Sequence, residues 1–325
     1  MTSIPLIRKL SDGYFHSGSE LGEFLGVSRA AVWKQIQKLE TDYGVKCDSV
    51  KGKGYQIRGG LDLLNEEIIH LALSHKAQTL LSNLDVHTVV DSTNDIALEK
   101  AKQGVESGYV CIAEKQNKGR GRRGRTWVSP FGKNIYMSIL WRFQGGAAAL
   151  EGLSLATGVA VAGALSKVGV NGVNLKWPND ILHERRKLAG ILLEMSGDAA
   201  GVCEVVLGVG LNIGMLRDEG ETIDQSWIDL QSLREKKLDR NLVVATLLNE
   251  LLLMLEEFSL RGFVPFMDEW SRLDSYRGKE VTLTTSKSSE HGIAMGVDQN
   301  GALKLKIDEK VKVFSGGEVS LRLKR

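Results

Sequence analysis

A chain of 325 residues has room for two or three domains, and its 42% apolar and 25% charged composition is that of an ordinary globular protein. A net charge of only +2 excludes binding of polyanions over the whole surface, so any basic face must be local. Three scattered cysteines (Cys47, Cys111, Cys203) argue against a disulfide framework. With no apolar run of about 18 residues and no signal-peptide core in Met1–Leu10, they point to a cytoplasmic protein with no membrane partner.

The first sixty residues read as a DNA-binding module. Ser17 and Glu20 have capping-box spacing, so a helix should begin there, with Leu21, Phe24 and Leu25 as its apolar stripe and Gly26 as its stop. Ser28 can cap a second helix in which Val32, Ile36 and Leu39 recur at helical spacing. Arg29, Lys34, Gln35 and Lys38 occupy its other face. Two short helices around a tight Gly26-Val27 turn make a helix-turn-helix whose second helix would enter the major groove. Two short strands around Lys51-Gly52-Lys53 follow, shaped like a wing with its lysines near phosphates. Ser28, Arg29, Lys34, Lys38, Lys51 and Lys53 are the candidate DNA contacts.

After Gly59-Gly60 comes an amphipathic stretch, Leu63–Leu81, expected as one helix. Strand-like segments then mix with helices: Val86–Val90, Tyr109–Ala113, Ile135–Phe143, Val173–Trp177, Leu188–Glu194 and Val202–Asn212, with a buried helix over Leu153–Val168. The pattern is α+β and lacks the regular alternation of a doubly wound sheet.

Ligand chemistry concentrates at the ends of these strands. The segment Gly119–Arg125 holds four arginines and three glycines and no apolar residue. Its glycines let backbone N–H groups approach an anion, and its guanidiniums neutralise it. It spells a dinucleotide fingerprint, but Thr126-Trp127-Val128-Ser129-Pro130 cannot open a helix, and no acidic residue lies between Glu114 and Glu151. Asp91–Asp95 either caps the following helix or clamps a small polar ligand with Ser92, Thr93 and Asn94. Gln116 offers donor and acceptors to an amide- or ureido-like group. Lys176-Trp177-Pro178-Asn179-Asp180 joins a cation, an aromatic and a carboxylate, and Asp180 could hold Mg²⁺ or merely cap a turn. Lys187 opens the apolar run Leu188–Leu192, and Gly208–Gly214 offers bare backbone. There is no phosphate-binding loop of the G-x-x-x-x-G-K-[ST] type, no G-x-S-x-G and no H-E-x-x-H. A cationic site without a protein nucleophile suits nucleotidyl transfer, in which positioning and charge neutralisation do the catalysis.

The C-terminal part has a long apolar helix, Leu242–Leu260, a second over Phe263–Asp274, and five short strands from Val281 to Leu323. Asn300-Gly301 marks a hairpin turn. Five strands in so few residues suggest a small SH3-like barrel.

In this order the winged helix, Asp91–Asn94, Gly119–Arg125, Lys176–Asp180, Lys187–Leu192 and Gly316–Arg322 resemble the biotin–protein ligases of the bifunctional ligase/repressor type, over nearly the whole chain. The resemblance implies three domains, at residues 1–62, 63–273 and 274–325: a winged helix-turn-helix, a mixed α/β catalytic domain of the class II synthetase-like type, and the SH3-like barrel. It implies that biotin and ATP, with Mg²⁺, form biotinyl-5′-AMP, which a lysine of a carboxylase's biotin carrier domain then attacks. Biotin would meet Ser92, Thr93, Asn94, Gln116, Gly119, Arg120, Arg122, Lys187 and Gly190. ATP would meet Arg120, Arg122, Arg125, Trp127, Asn179 and Asn212. Arg122, Lys187, Lys176 and Asp180 would be catalytic, and Asp180 the metal ligand. Glu318 and Arg322 would either reach this site or form an ion pair. The adenylate would order the Gly/Arg segment and favour a homodimer that presents two winged helices to operator DNA. A ligand-sensing transcription factor without ligase activity and a lipoate-type ligase are the competing readings.

Overall fold

The computed structural model describes residues 4–197, 201–285, 288–316 and 319–324. At its N-terminal end, helices α1 (Ile4–Leu10), α2 (Gly18–Leu25) and α3 (Arg29–Lys38) close around Leu6, Ile7, Leu10, Leu21, Val32, Ile36 and Leu39. The caps are those expected. The Ser17 hydroxyl accepts from the Glu20 N–H at 3.1 Å, and the Ser28 hydroxyl accepts from the Ala31 N–H at 3.2 Å. Gly26, at φ 65°, makes the sharp turn between α2 and α3 that a side chain would resist. Strands β1 (Asp48–Val50) and β2 (Gly54–Gln56) form the wing, and Tyr55 pairs with His16 to seat it against the start of α2.

The expected helix over Leu63–Leu81 is two short ones, α4 (Glu66–Leu71) and α5 (His75–Leu80). Each has its own cap: Asn65 accepts from the Ile68 N–H, and Ser74 from the Ala77 N–H. The second cap is what divides the amphipathic stretch, because its hydroxyl rewards a fresh start.

Strands β3 (Asn83–His87), β4 (Tyr109–Ala113), β5 (Ile135–Phe143), β6 (Val173–Lys176), β7 (Asp180–His183), β8 (Arg186–Gly197) and β9 (Cys203–Leu211) form one sheet, ordered β3-β4-β5-β9-β8-β7-β6. Helix α6 (Thr93–Lys102) crosses between β3 and β4, which pair in parallel; among the described residues the other ladders of this sheet are antiparallel. The sheet is covered on both faces. Val110, Ile112, Met137 and Ile139 pack into the main core with α7 (Leu153–Lys167) and α8 (Arg240–Arg261). Tyr109, Cys111, Leu140 and Val206 pack under α6 with Ala97 and Ala101. Two-sided burial explains why β4 and β5 read as continuous apolar runs. The stretch Gly146–Lys167 is long and apolar enough on average to cross a membrane, although Glu151, Ser154, Thr157 and Ser166 interrupt it. In the fold α7 is a core helix with Leu155, Val161, Ala164 and Leu165 buried.

Helix α9 (Met267–Leu273) leads to β10 (Glu280–Thr284), β11 (Ser289–Val297), β12 (Leu303–Ile307), β13 (Lys310–Phe314) and β14 (Ser320–Leu323), an antiparallel sheet ordered β13-β12-β11-β10-β14. The last strand returns beside the first, as an SH3-like fold requires; among the described residues no ladder joins β13 to β14. This sheet shares the main core through Val281, Leu283, Leu303 and Leu305. It docks by its β11–β12 turn: Gly301, at φ 77°, lies against Gly152 before α7, and its carbonyl accepts from the Trp177 indole N–H at 3.1 Å. Trp177 is therefore a buried bridge between the two parts, 2% exposed.

Several contacts tie the winged helix to the central part of the chain, among them Lys115 Nζ donating to the Asp42 carbonyl at 2.9 Å. Phe131 enters the core of the winged helix and meets Tyr43 edge-on at 5.4 Å. The linker is clamped by Arg240, whose guanidinium donates to the Asp62 carbonyl and to Glu114, which in turn accepts from the Leu64 N–H.

Candidate active site

The C-terminal ends of β4 and β6, the starts of β7 and β8 and the glycines of β9 surround a cavity of about 510 Å³. Its lining includes Ser92, Thr93, Asn94, Gln116, Arg120, Arg122, Arg125, Trp127, Lys176, Asn179, Asp180, Lys187 and Gly190, so nearly all the predicted biotin and ATP residues converge.

One end is neutral and hydrogen-bonded. Gln116 Oε1 accepts from the Thr93 N–H at 2.9 Å and lies 3.1 Å from its hydroxyl, and Gln116 Nε2 donates to Ser129. Ser138 Oγ sits 2.7 Å from Thr93 Oγ1 and 2.5 Å from Asn94 Oδ1, and Asn94 Nδ2 donates to Glu194 at 2.6 Å. The chain of contacts fixes every amide and hydroxyl before a ligand arrives, as preorganised recognition demands. Ser92 stands at the N-cap of α6, yet its hydroxyl makes no capping bond and faces the cavity. That favours the clamp over the simple cap.

The other end is charged. Asp180 Oδ1 lies 2.7 Å from Lys187 Nζ and Oδ2 3.5 Å from Lys176 Nζ, all three side chains less than a fifth exposed. Burial opposes the Asp180 carboxylate, but the two lysines outweigh it and hold its pKa below the usual value. Burial pulls Lys176 below its ordinary pKa, and Arg322 on β14 adds to that pull. Arg122 donates to Asn179 Oδ1 at 3.0 Å, and Asn179 is itself held by the Ile191 carbonyl. Trp127 lies over Lys187, 5.4 Å from ring centre to Nζ. It has room because Gly190 and Gly210 lack side chains: a Cβ at Gly210 would come within 2.4 Å of the indole. The bare backbone of β9 thus admits Trp127 and, at Gly208, Asn94, instead of a ligand directly.

The Gly/Arg segment is a small closed hairpin, contrary to the disorder expected of it. Arg120 pairs with Thr126, the Gly121 N–H donates to the Arg125 carbonyl, and Arg123 turns the chain at φ 58°. Arg120 does not face the lysines. It forks onto Asp95 at 2.8 and 2.5 Å and reaches Glu194, and this bond, set against desolvation, holds the Asp95 carboxyl below the usual range. Gly119 stands behind the cavity, packed against Trp127, Ser129 and Gln116. Asn212 does not line the cavity; its buried carboxamide donates to the carbonyls of Ile228 and Lys187 and so steadies the base of Lys187. Asp180, the expected metal ligand, is engaged by cations in this structure. Both its oxygens are taken by lysines, and among the described residues no cluster of three or more His, Cys, Asp or Glu could hold a metal ion. Glu318 lies outside the described residues.

Ser129, Ser138, Asp95, Glu194 and the Thr222–Gln225 segment escaped sequence reasoning. Ser138 and Glu194 carried a usable signal: each interrupts an apolar run, Ile135–Trp141 and Leu188–Met195.

Clustered cations beside a preorganised amide pocket, behind a winged helix, are the layout of a protein ligase with a DNA-binding head. Three family matches run in that order: an HTH domain (residues 4–56), the biotin/lipoate A/B protein ligase family (residues 86–212) and the biotin protein ligase C terminal domain (residues 277–322). The chain is 44% identical to the bifunctional ligase/repressor BirA of Salmonella typhimurium, covering 99% of this chain and 98% of that protein. It is 30% identical to the BirA of Bacillus subtilis, over 94% of each. Its fold matches the Aquifex aeolicus biotin protein ligase in complex with biotin and ATP, with TM-score 0.66, 30% identity, and coverage of 75% of this chain and all of that one. The chain belongs to the bifunctional ligase/repressor family of biotin–protein ligases, as an enzyme that carries its own repressor module.

Proposed function

We propose that this chain makes biotinyl-5′-AMP from biotin and ATP and passes the biotinyl group to a lysine of a carboxylase's biotin carrier domain. The single observation that carries the reading is the Lys187–Asp180–Lys176 cluster at the mouth of the amide-lined cavity, with Arg122 beside it. Ser92, Thr93, Asn94 and Gln116 hold the ureido ring, with the backbone of Gly190 in the cavity wall. A biotin carboxylate oxygen attacks the α-phosphorus, the bond to the β-phosphate oxygen breaks, and pyrophosphate leaves. Lys187 and Arg122 meet the negative charge that builds between carboxylate and phosphate. Trp127 supports the adenine, with Arg125 and Asn179 at the nucleotide end. The acceptor lysine's neutral amine then attacks the acyl carbon, AMP departs, and the amine's proton is lost to solvent. Mg²⁺ enters only as the counter-ion that ATP brings, and no protein carboxylate is assigned to it.

Labelled biotin, Mg·ATP and a carboxylase carrier domain test this directly. The expected result is covalent label on the carrier, and label that remains only as free adenylate overturns transfer. In Arg122→Gly the adenylate should escape to solvent faster by about tenfold or more, since one charge-assisted contact is lost. Unchanged retention removes that role.

The repressor module works as a homodimer in this proposal, with biotinyl-5′-AMP raising the dimer population and operator DNA as the second partner. Sedimentation velocity with and without biotin plus ATP should show ligand-dependent association; a sedimentation coefficient indifferent to ligand rules it out.

A further inference from the structure

Helix α3 presents an unusual outer face. It carries no acidic residue, and Lys34 and Lys38 on it, like Lys51 and Lys53 on the wing, are exposed. Its first turn offers little that reaches forward. Ser28 is engaged as the cap, Ala30 and Ala31 are short, and the stem of Arg29 lies back against Gly18 of α2, about 3.1 Å from where a Cβ there would sit. Trp33, in the second turn, is the first large apolar side chain to stand out, and it is 54% exposed. At about 100° per residue it lies beside the core-facing Val32 yet on the open flank, stacked one turn from Arg29 and Gln37.

We propose that Trp33 is a specificity-determining residue of the DNA-binding head, reading the 5-methyl group of a thymine in each operator half-site. The inference rests on the reading of this module as a DNA binder and goes beyond it to name the base feature recognised. The short first turn lets the helix backbone come close to the groove floor, while the surrounding lysines find phosphates. An indole has no acceptor and one donor, so its flat apolar surface complements the one apolar group that the major groove displays. Lysine contacts alone give affinity without sequence.

The test selects binding sites from a randomised duplex pool with the full-length chain plus biotin and ATP, in parallel with Trp33→Ala. Because Trp33 is exposed, the variant should fold. The wild type should enrich one thymine per half-site that Trp33→Ala does not, and replacing that thymine with deoxyuridine should weaken wild-type binding about fourfold per half-site, the worth of one buried methyl. The variant should be blind to that replacement and keep the same salt dependence. Identical profiles for the two proteins, or a uniform loss without thymine preference, overturn the role of Trp33 while leaving DNA binding intact. A wild-type protein that enriches no sequence overturns the DNA-binding reading itself, and this inference with it.

Discussion

Replacing Arg240 with methionine is expected to cost about 3 to 5 kcal/mol of stability, the usual loss when one partner of a buried ion pair is removed. Arg240 and Glu114 are 3% and 6% exposed and 2.8 Å apart. The guanidinium also donates to the carbonyls of Asp62 and Asn134, and the Arg240 N–H to the Asp62 carboxylate. Methionine fills much of the volume but leaves Glu114 charged and without its cation, along with two carbonyls without donors. Glu114→Gln should be milder, because its amide can still accept from the Leu64 N–H. The double variant should recover part of the loss, since it leaves no uncompensated charge. Urea midpoints of the three variants give the cycle. A loss below about 1 kcal/mol for Arg240→Met would show that the pair contributes nothing net. The clamp holds residues 62–64, so the variant should also be cut faster by protease at the Gly59-Gly60 junction.

Such a clamp was invisible in the sequence, and the reason is physical. Glu114 and Arg240 are 126 residues apart and each is ordinary in its surroundings; only the packing of α8 against the end of β4 makes them a pair. Local signals fared better. The Ser17, Gly26 and Ser28 punctuation is written in neighbouring residues, and α2, α3 and the wing follow it. Tyr109–Ala113 and Ile135–Phe143 were legible to the residue because both faces are buried, which leaves an unbroken apolar run. β7 was missed because it has only four residues and begins and ends with polar ones, Asp180 and His183. In the site, residue types foretold the chemistry while the pairing did not. Arg120 looked like its neighbour Arg122, and what separates them is Asp95, in the first turn of a helix, which claims the first and not the second.

Lys187→Met should slow adenylate formation by about 10² to 10³, the range found when one preorganised donor to developing charge is removed. The ammonium sits 2.7 Å from Asp180, over the Trp127 face, in a cavity wall 15% exposed, so water cannot easily replace it. Methionine keeps most of the stem and hence the packing against Gly190. Asp180 retains Lys176 at 3.5 Å, so the variant does not strand a buried carboxylate and the fold should survive. The measurement is single-turnover formation of biotinyl-5′-AMP, beside biotin affinity measured without ATP. A loss confined to the rate, with biotin affinity changed by less than about threefold, means the ammonium acts on the transition state. Lys176→Met supplies the contrast. Its ammonium is farther from Asp180 and lies 5.9 Å over the Tyr276 ring, toward the C-terminal sheet and away from Trp127. Its loss should slow adenylation by no more than about tenfold, one weaker charge contact. Equal losses for the two lysines would mean that the site works by total positive charge. A loss specific to Lys187 would mean that the position of one ammonium, set by Asp180 and the carboxamide of Asn212 beneath it, is what the cavity is built to hold.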